Sequence, residues 1–169
     1  MGLTFRRSSD WSDGRLVVYA DANYAGTETD RRSVSGGVVI LAGAAVAWIS
    51  RTQKCVTLST TEAEYVAITD ALKEGTYVRN ILPFVDLRWR SILLKEDNEG
   101  AIALGNNPVS SNNSKHIDER YHFIRWKAQA GEVELIHVES AQQHADVLTK
   151  PLSRESFEVH RSFLLGLSS

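Results

Sequence analysis

Three apolar stretches open the chain. Leu16 to Ala20 (LVVYA) is β-branched and aromatic, which predicts a strand. Gly36 to Leu41 (GGVVIL) follows a polar turn over Glu28 to Ser35, and Ala44 to Ile49 (AAVAWI) follows a turn at Gly43. Connections this short imply an antiparallel meander. The period then changes. Ser59-Thr60-Thr61-Glu62 has the form of a capping box, with a hydroxyl at the N-cap and a Glu three residues on. Ala63, Ala67, Ile68, Ala71 and Leu72 follow at helical spacing, and Pro83 marks the far limit. Ser91 to Lys95 predicts a fourth strand, and Glu99 to Leu104 a short helix. Asn106-Asn107-Pro108 and Asn112-Asn113-Ser114 predict a loop. Ile117 to Ala130 has helical spacing and ends at Gly131, and Val133 to Val138 alternates as a fifth strand. Helices around Gln142 to Leu148 and Arg154 to Leu164 close the chain, separated by Pro151.

The predicted order β-β-β-α-β-α-α-β-α-α describes an α/β domain. Its mixed five-stranded sheet has an antiparallel first half and helices on both faces. Right-handed crossovers put the fourth and fifth strands beside the first. Residues 15–166 form one domain in this reading, and residues 1–14, rich in Ser and Asp, form a flexible N-terminal segment.

Composition narrows the function. The chain has 169 residues, 43% hydrophobic and 24% charged, which suits one globular domain. The single cysteine, Cys55, cannot form an internal disulfide and lacks an evident His–Asn partner set, so it reads as a buried or half-buried thiol. The longest apolar run, Val38 to Ile49, is broken by Gly43 and falls short of the roughly 20 residues that span a bilayer. Arg6 and Arg7 have no hydrophobic core after them, so neither membrane insertion nor secretion is expected. A net charge of −2 speaks against a stand-alone nucleic-acid binder, because phosphate contacts usually demand a basic surplus. That objection weakens if the acids cluster around metal ions and a neighbouring domain supplies the grip.

Asp21 directly follows the first predicted strand, and Asp97 the fourth. Read singly, each is a helix cap or turn residue. If the two strands are neighbours, the carboxylates meet at one sheet edge, where they repel unless a hard divalent cation joins them.

Four segments in order resemble the ribonuclease H domain of copia-type (Ty1-like) retrotransposon Pol polyproteins: YADANYAG at 19–26, LSTTEAEYVAITDALKE at 58–74, EDNEGAIALGNNP at 96–108 and SKHIDERYHFIR at 114–125. The tail ADVLTKPLSRESF at 145–157 also fits, and the similarity runs from about residue 3 to 166. The resemblance implies a ribonuclease H-like fold and four catalytic, metal-holding carboxylates, which fall on Asp21, Glu64, Asp97 and Asp146. Glu64 is preferred to Glu62 for a local reason as well. Glu62 already serves the capping box, while Glu64 shares a helix face with Ile68 and Ala71. Thr61 and Glu64 form a second candidate box.

By the same resemblance the cofactor is a pair of Mg²⁺ ions about 4 Å apart, with Mn²⁺ able to substitute. Asp21 would bridge both ions. Asp146 would help hold the ion that activates water, and Glu64 and Asp97 the ion near the leaving 3′-oxygen, giving 5′-phosphate products. The implied substrate is the RNA strand of an RNA–DNA hybrid, met during reverse transcription. The implied partner is the reverse transcriptase domain of the same polyprotein, joined through residues 1–14. No small-molecule cofactor is expected. The implied location is a cytoplasmic virus-like particle, with the nucleus as a second compartment. Asn23, Ser59, Thr61, Asn98 and His116 are candidate substrate contacts, each with a turn, cap or packing role as the competing reading.

Other expectations are structural. Tyr121, His122, Trp126 and Trp48 should fill the core, and His144 should lie at the surface. Glu96 stands where the family often has a small apolar residue or Cys. Strand alternation should turn it away from Asp97, where it is either solvated or disturbs the site. Two rivals remain: a catalytically inactive or repurposed module of the same fold that binds nucleic acid or protein, and a two-metal nuclease for DNA such as an integrase or resolvase core.

Overall fold

The structure, a computed structural model, describes residues 2–5, 16–26, 31–85, 91–106 and 115–167, without the side chains at 85, 115–119 and 121. Five strands form one sheet: β1 (Leu16–Asn23), β2 (Val34–Leu41), β3 (Ala44–Thr52), β4 (Ile92–Glu96) and β5 (Val133–His137), in the order β3-β2-β1-β4-β5. The first three are antiparallel neighbours, and β4 and β5 add in parallel on the other side of β1. The helices are α1 (Thr60–Ile81), α2 (Glu99–Asn106), α3 (Lys115–Gln129) and α4 (Arg154–Leu164). This is the expected mixed sheet, with each long crossover carried by helix.

Alternation along β1 divides the core in two. Leu16, Val18 and Ala20 face α1 in the larger cluster, with Ile68, Leu72, Leu94, Ile124 and Leu135. Tyr19 faces the other way, with Val38, Ile40, Val138 and Ala145, under Phe163 and Leu164 of α4. At the end of β1 the packing residues are small: Ala22, Ala63 and Ala67 form their own buried group. Small side chains let α1 approach β1 closely there, and this brings the first turns of α1 over the end of the sheet.

Several expectations change. Asp21 lies inside β1, opposite Gly36, because the strand runs on to Asn23. Residues 140–148 form two short 3-10 turns, Ser140–Gln142 and Asp146–Leu148, instead of a helix. Gln143 breaks the run with extended backbone (φ −76°, ψ 90°), and its buried side chain donates to the Ala20 carbonyl at 2.7 Å. A side-chain bond to a sheet backbone outweighs the weak helical pattern of so short a segment. Trp48 and Trp126 are 64% and 59% exposed, and His122 is exposed too. Trp48 lies on the sheet's outer strand, and α3 turns its Ile124–Ala128 side inward, leaving 122 and 126 outside. Tyr121's side chain lies outside the described residues. His144 is buried, stacked on Phe163 with centroids 3.6 Å apart, its Nδ1 3.0 Å from that of His160. Burial, His160 and Lys95 push His144 down to about 4, so the pair is neutral at pH 7 and ties α4 to the sheet.

Candidate active site

Asp21 and Asp97 come from adjacent parallel strands, paired from Leu16↔Ile92 to Tyr19↔Lys95. Asp97 directly follows the last residue of β4, so both acids emerge at the same end of the sheet. Glu64 is in the second turn of α1, over that end. One carboxylate oxygen from each of Asp21, Glu64 and Asp97 lies within 4.8 Å of the other two.

The Glu62–Glu64 choice is visible in the hydrogen bonds. Ser59 Oγ caps α1 by accepting from the Glu62 N–H at 3.2 Å, and Glu62 Oε2 accepts from the Leu58 N–H at 2.5 Å. Glu62 therefore closes the helix start, as the capping box requires, with the Leu58 amide as its partner in place of Ser59's. Glu64 Oε2 is buried with no hydrogen-bond partner among the described residues. Glu62→Gln should leave hybrid cleavage within about threefold of wild type and cost about 1 kcal/mol of stability. Glu64→Gln should lower the single-turnover rate roughly a hundredfold or more. The reverse ranking in the same assay would exchange their roles.

Asp146 arrives from the opposite face. Gln143 anchors its segment to β1, and Gly36 of β2 lets it come close: a Cβ on Gly36 would meet Thr149 Cγ2 at 2.5 Å and the Ala145 carbonyl at 3.0 Å. Thr149 Oγ1 then donates to Asp21 Oδ2. Lys150, one turn past Asp146, puts Nζ 2.9 Å from Asp146 Oδ1 and 3.8 Å from Asp21 Oδ1. Asp146 thus joins the cluster through Asp21 and a shared lysine.

Electrostatics show what the group lacks. Burial pushes Asp21 up to about 6; Asp146 and Asp97 add to this, and the Thr149 hydroxyl and Lys150 oppose it. Burial, then the charges of Asp21 and Asp97, raise Glu64 to about 9 against the Ala22 N–H and Lys150. Several carboxylates share too little positive charge, and the buried Glu64 Oε2 has no donor among the described residues. All the donors are hard oxygens, so the residues fit a divalent cation of the magnesium type. Lys150 supplies part of that charge itself. Lys150→Met should tighten Mn²⁺ binding about fivefold by calorimetry, since a unit charge at 4 Å is worth about 1 kcal/mol even in water. Unchanged affinity would mean that the lysine does not compete for these acids.

Glu96 does turn away from Asp97, but into the protein. It is fully buried on the helix-covered face, Oε1 accepting from the Asn98 N–H at 3.1 Å, Oε2 without a partner among the described residues. Burial and the charge of Glu64 raise it well above the usual carboxylate range, so folding favours its protonated form behind the cluster. Solvation is excluded, and its link to Asn98 braces the turn that carries Asp97.

The candidate contact residues surround this end of the sheet and have internal tasks there. Asn23 donates to the Thr149 carbonyl at 3.3 Å, and Asn98 Oδ1 caps α2 by accepting from Ala101 N–H at 2.9 Å. Ser59 caps α1, and Thr61 is half-buried beside Gly100. The side chain of His116 lies outside the described residues. Sequence reading passed over Gln143, Thr149 and Lys150; the signal was the ADVLTK segment, which places Lys150 four residues beyond Asp146.

The chain is 37% identical over 158 residues to the Pol polyprotein from transposon TNT 1-94 of Nicotiana tabacum, covering 94% of this chain and 12% of that protein. It is 40% identical over 144 residues to the Pol polyprotein from transposon RE1 of Arabidopsis thaliana, covering 85% of this chain and 10% of that protein. The chain belongs to the Pol polyproteins of copia-type retrotransposons. It spans about a tenth of the length of those relatives. No family model matches it. Among solved structures, LC11-RNase H1, isolated from compost by a metagenomic approach, superposes with a TM-score of 0.60 at 18% identity, covering 88% of this chain and 99% of that one. The copia-type domain therefore has the ribonuclease H fold. The same LC11 enzyme has also been solved in complex with an RNA/DNA hybrid.

Proposed function

We propose that this domain is a ribonuclease H, hydrolysing the RNA strand of RNA–DNA hybrids during retrotransposon reverse transcription. The observation that carries the reading is the convergence of Asp21, Glu64 and Asp97 from three separate elements, with Asp146 tied in through Lys150 and Asp21. Asp21, Glu64, Asp97 and Asp146 are the catalytic residues in this reading and would hold two Mg²⁺ or Mn²⁺ ions. The bound ions supply Lewis acidity at the scissile phosphate and a more acidic attacking water, leaving 5′-phosphate ends.

The chain's own residues do the positioning. The Thr149 hydroxyl fixes one oxygen of Asp21, and the Ala22 N–H holds Glu64 toward it. Glu96, through Asn98, fixes the turn that presents Asp97. Lys150 balances charge between Asp21 and Asp146. Asn23, Ser59, Thr61, Asn98 and His116 are proposed to meet the hybrid, where an RNA strand is told from DNA by its 2′-hydroxyls.

The relatives are Pol polyproteins, which supports a reverse transcriptase domain in the same polyprotein as partner, with residues 15–166 as the nuclease unit and 1–14 as the join. Action inside a cytoplasmic particle belongs to the same reading. Among the described residues no helix is long and apolar enough to cross a membrane.

The test is cleavage of an end-labelled hybrid with Mg²⁺ or Mn²⁺, beside single-stranded RNA and duplex DNA of the same sequence. Cutting confined to the RNA of the hybrid is expected. Cutting of duplex DNA alone would move the domain to the DNA nucleases of this fold. No cutting, despite bound metal, would make it an inactive module.

A further inference from the structure

One buried polar pair stands outside the acidic cluster but close to Asp146 in the chain. His144 and His160 are 8% and 2% exposed, and their Nδ1 atoms lie 3.0 Å apart. One nitrogen donates and the other accepts, so the two rings share one proton. A buried imidazole needs a partner, and among the described residues each ring finds its hydrogen bond in the other. His160 is also the one buried residue of α4. The helix is therefore anchored through a polar side chain, where an apolar one would serve packing alone.

His144 is fixed in both plane and rotation. Its ring stacks on Phe163 with centroids 3.6 Å apart and planes 7° apart, and it meets Tyr19 of β1 edge-on at 5.0 Å. The stack sets the plane of the imidazole, and the bond to His160 sets its rotation within that plane. His160 and Phe163 are three residues apart on α4, so they are neighbours on one side of the helix. One grips the edge of His144 and the other its face.

Asp146 lies two residues further on, past the buried Ala145. The Asp146 N–H donates to the Gln143 carbonyl at 3.2 Å, and the Leu148 N–H to the Ala145 carbonyl at 2.9 Å, so residues 143–148 form one tightly turned unit. The sheet holds both ends of that unit. Gln143 bonds the Ala20 carbonyl, Ser50 bonds the Leu148 carbonyl at 2.6 Å, and Thr149 bonds Asp21. Anchors on one side leave a turn free to tilt, and an anchor on another side removes that freedom. The clamp on His144 is the anchor from α4.

We propose that His160 is a positioning residue for Asp146: by fixing the His144 imidazole, α4 sets the angle at which the Asp146 carboxylate meets Asp21 and Lys150. The inference rests on the ribonuclease H reading for its effect on cleavage and deepens it by giving α4 a part in the site. Loss of a side chain that orients a metal-holding group typically costs about 10–100-fold in affinity or activity.

The test compares three changes. His160→Phe keeps a ring and removes the nitrogens, while His160→Asn places an amide where Nδ1 stands and keeps the bond. His144→Phe/His160→Phe loses the bond without leaving a polar atom unpaired in the core, and its melting temperature confirms that it folds. Each is made alone and in an Asp146→Asn background. Single-turnover cleavage and KM are read in Mg²⁺, Mn²⁺ affinity by calorimetry, and amide hydrogen exchange in EDTA. Both Phe variants should cut about tenfold more slowly at unchanged KM and bind Mn²⁺ about fivefold more weakly. Their Asp146 and Leu148 amides should exchange about tenfold faster. His160→Asn should stay within about twofold of wild type in every reading. Once residue 146 carries no carboxylate, the Phe changes should lower neither rate nor affinity further. Equal losses with and without that carboxylate would overturn the positioning role, as would Phe variants that cut and bind like wild type; both leave the ribonuclease reading standing while wild type cuts hybrid. Wild type that cuts nothing, with Mn²⁺ affinity still depending on His160 through Asp146, would end the ribonuclease reading and support the clamp.

Discussion

Asp97→Asn should lower hybrid cleavage at least a thousandfold while the domain stays folded. The change keeps the size of the side chain and removes one of three carboxylates whose oxygens lie within 4.8 Å of each other. A neutral amide is a poor ligand for a hard cation, and the loss corresponds to about 4 kcal/mol of barrier. Folding should survive because Asp97 is half-buried and stands just past β4, outside both large apolar clusters. Removing a repelling charge also relieves Asp21 and Glu64, so the metal-free variant should melt at or above the wild-type temperature. Single-turnover cleavage and circular dichroism check the two halves. Near-wild-type cutting would remove Asp97, and with it the cluster, from the mechanism. A melting temperature lowered by several degrees would show that Asp97 is chiefly structural.

The second large effect is on stability. Asp21 and Glu64 have ordinary values of 3.8 and 4.5 and are raised in the fold to about 6 and about 9; Glu96 is raised as well. An acid whose value rises on folding holds its proton longer in the native state. Its cost is absent at low pH, where both states are protonated, and grows as pH climbs from the unfolded toward the folded value. Without metal the domain should therefore lose stability between about pH 4 and pH 9. A divalent cation binds the ionised native cluster and not the unfolded chain, adding about 2.7 kcal/mol at a hundred times its Kd. For a domain of this size that is roughly 5–10 °C in Tm. Scanning calorimetry in EDTA and in saturating MgCl₂ should show a metal-induced gain that is larger at pH 8.5 than at pH 5.5. A gain independent of pH would mean that these acids are not where the metal binds.

Much of the fold was legible from local pattern. The α1 start was marked by Ser59 and Glu62, whose hydrogen bonds need only neighbouring residues. The α4 limits, Arg154 to Leu164, match the expected ones, because Pro151 precedes a strongly amphipathic stretch. Gly131 ends the turn after α3 at φ +68°, a conformation that favours glycine. The misplaced residues are those whose environment depends on a distant partner. Trp126 obeys helical spacing, but spacing does not say which side of α3 meets the sheet. His144 is buried only because α4 folds back over it with His160 and Phe163.

The chain itself dictated which acids are available and, by strand pattern and capping, that Asp21 and Asp97 lie near the ends of their strands and Glu64 near the start of α1. These are short-range properties, set by the backbone within a few residues. Only the tertiary structure decided that β4 lies beside β1, that small residues draw α1 down onto Asp21, and that Thr149 and Lys150 come within reach of it. It also decided that Glu96 is buried, with its carboxyl raised well above the usual range, and that Arg51, Lys73 and Arg120 gather around Asp70. Charge and burial are properties of neighbours in space. Residues 128 positions apart in the chain, such as Asp21 and Thr149, acquire them only when the sheet and its covering segments close.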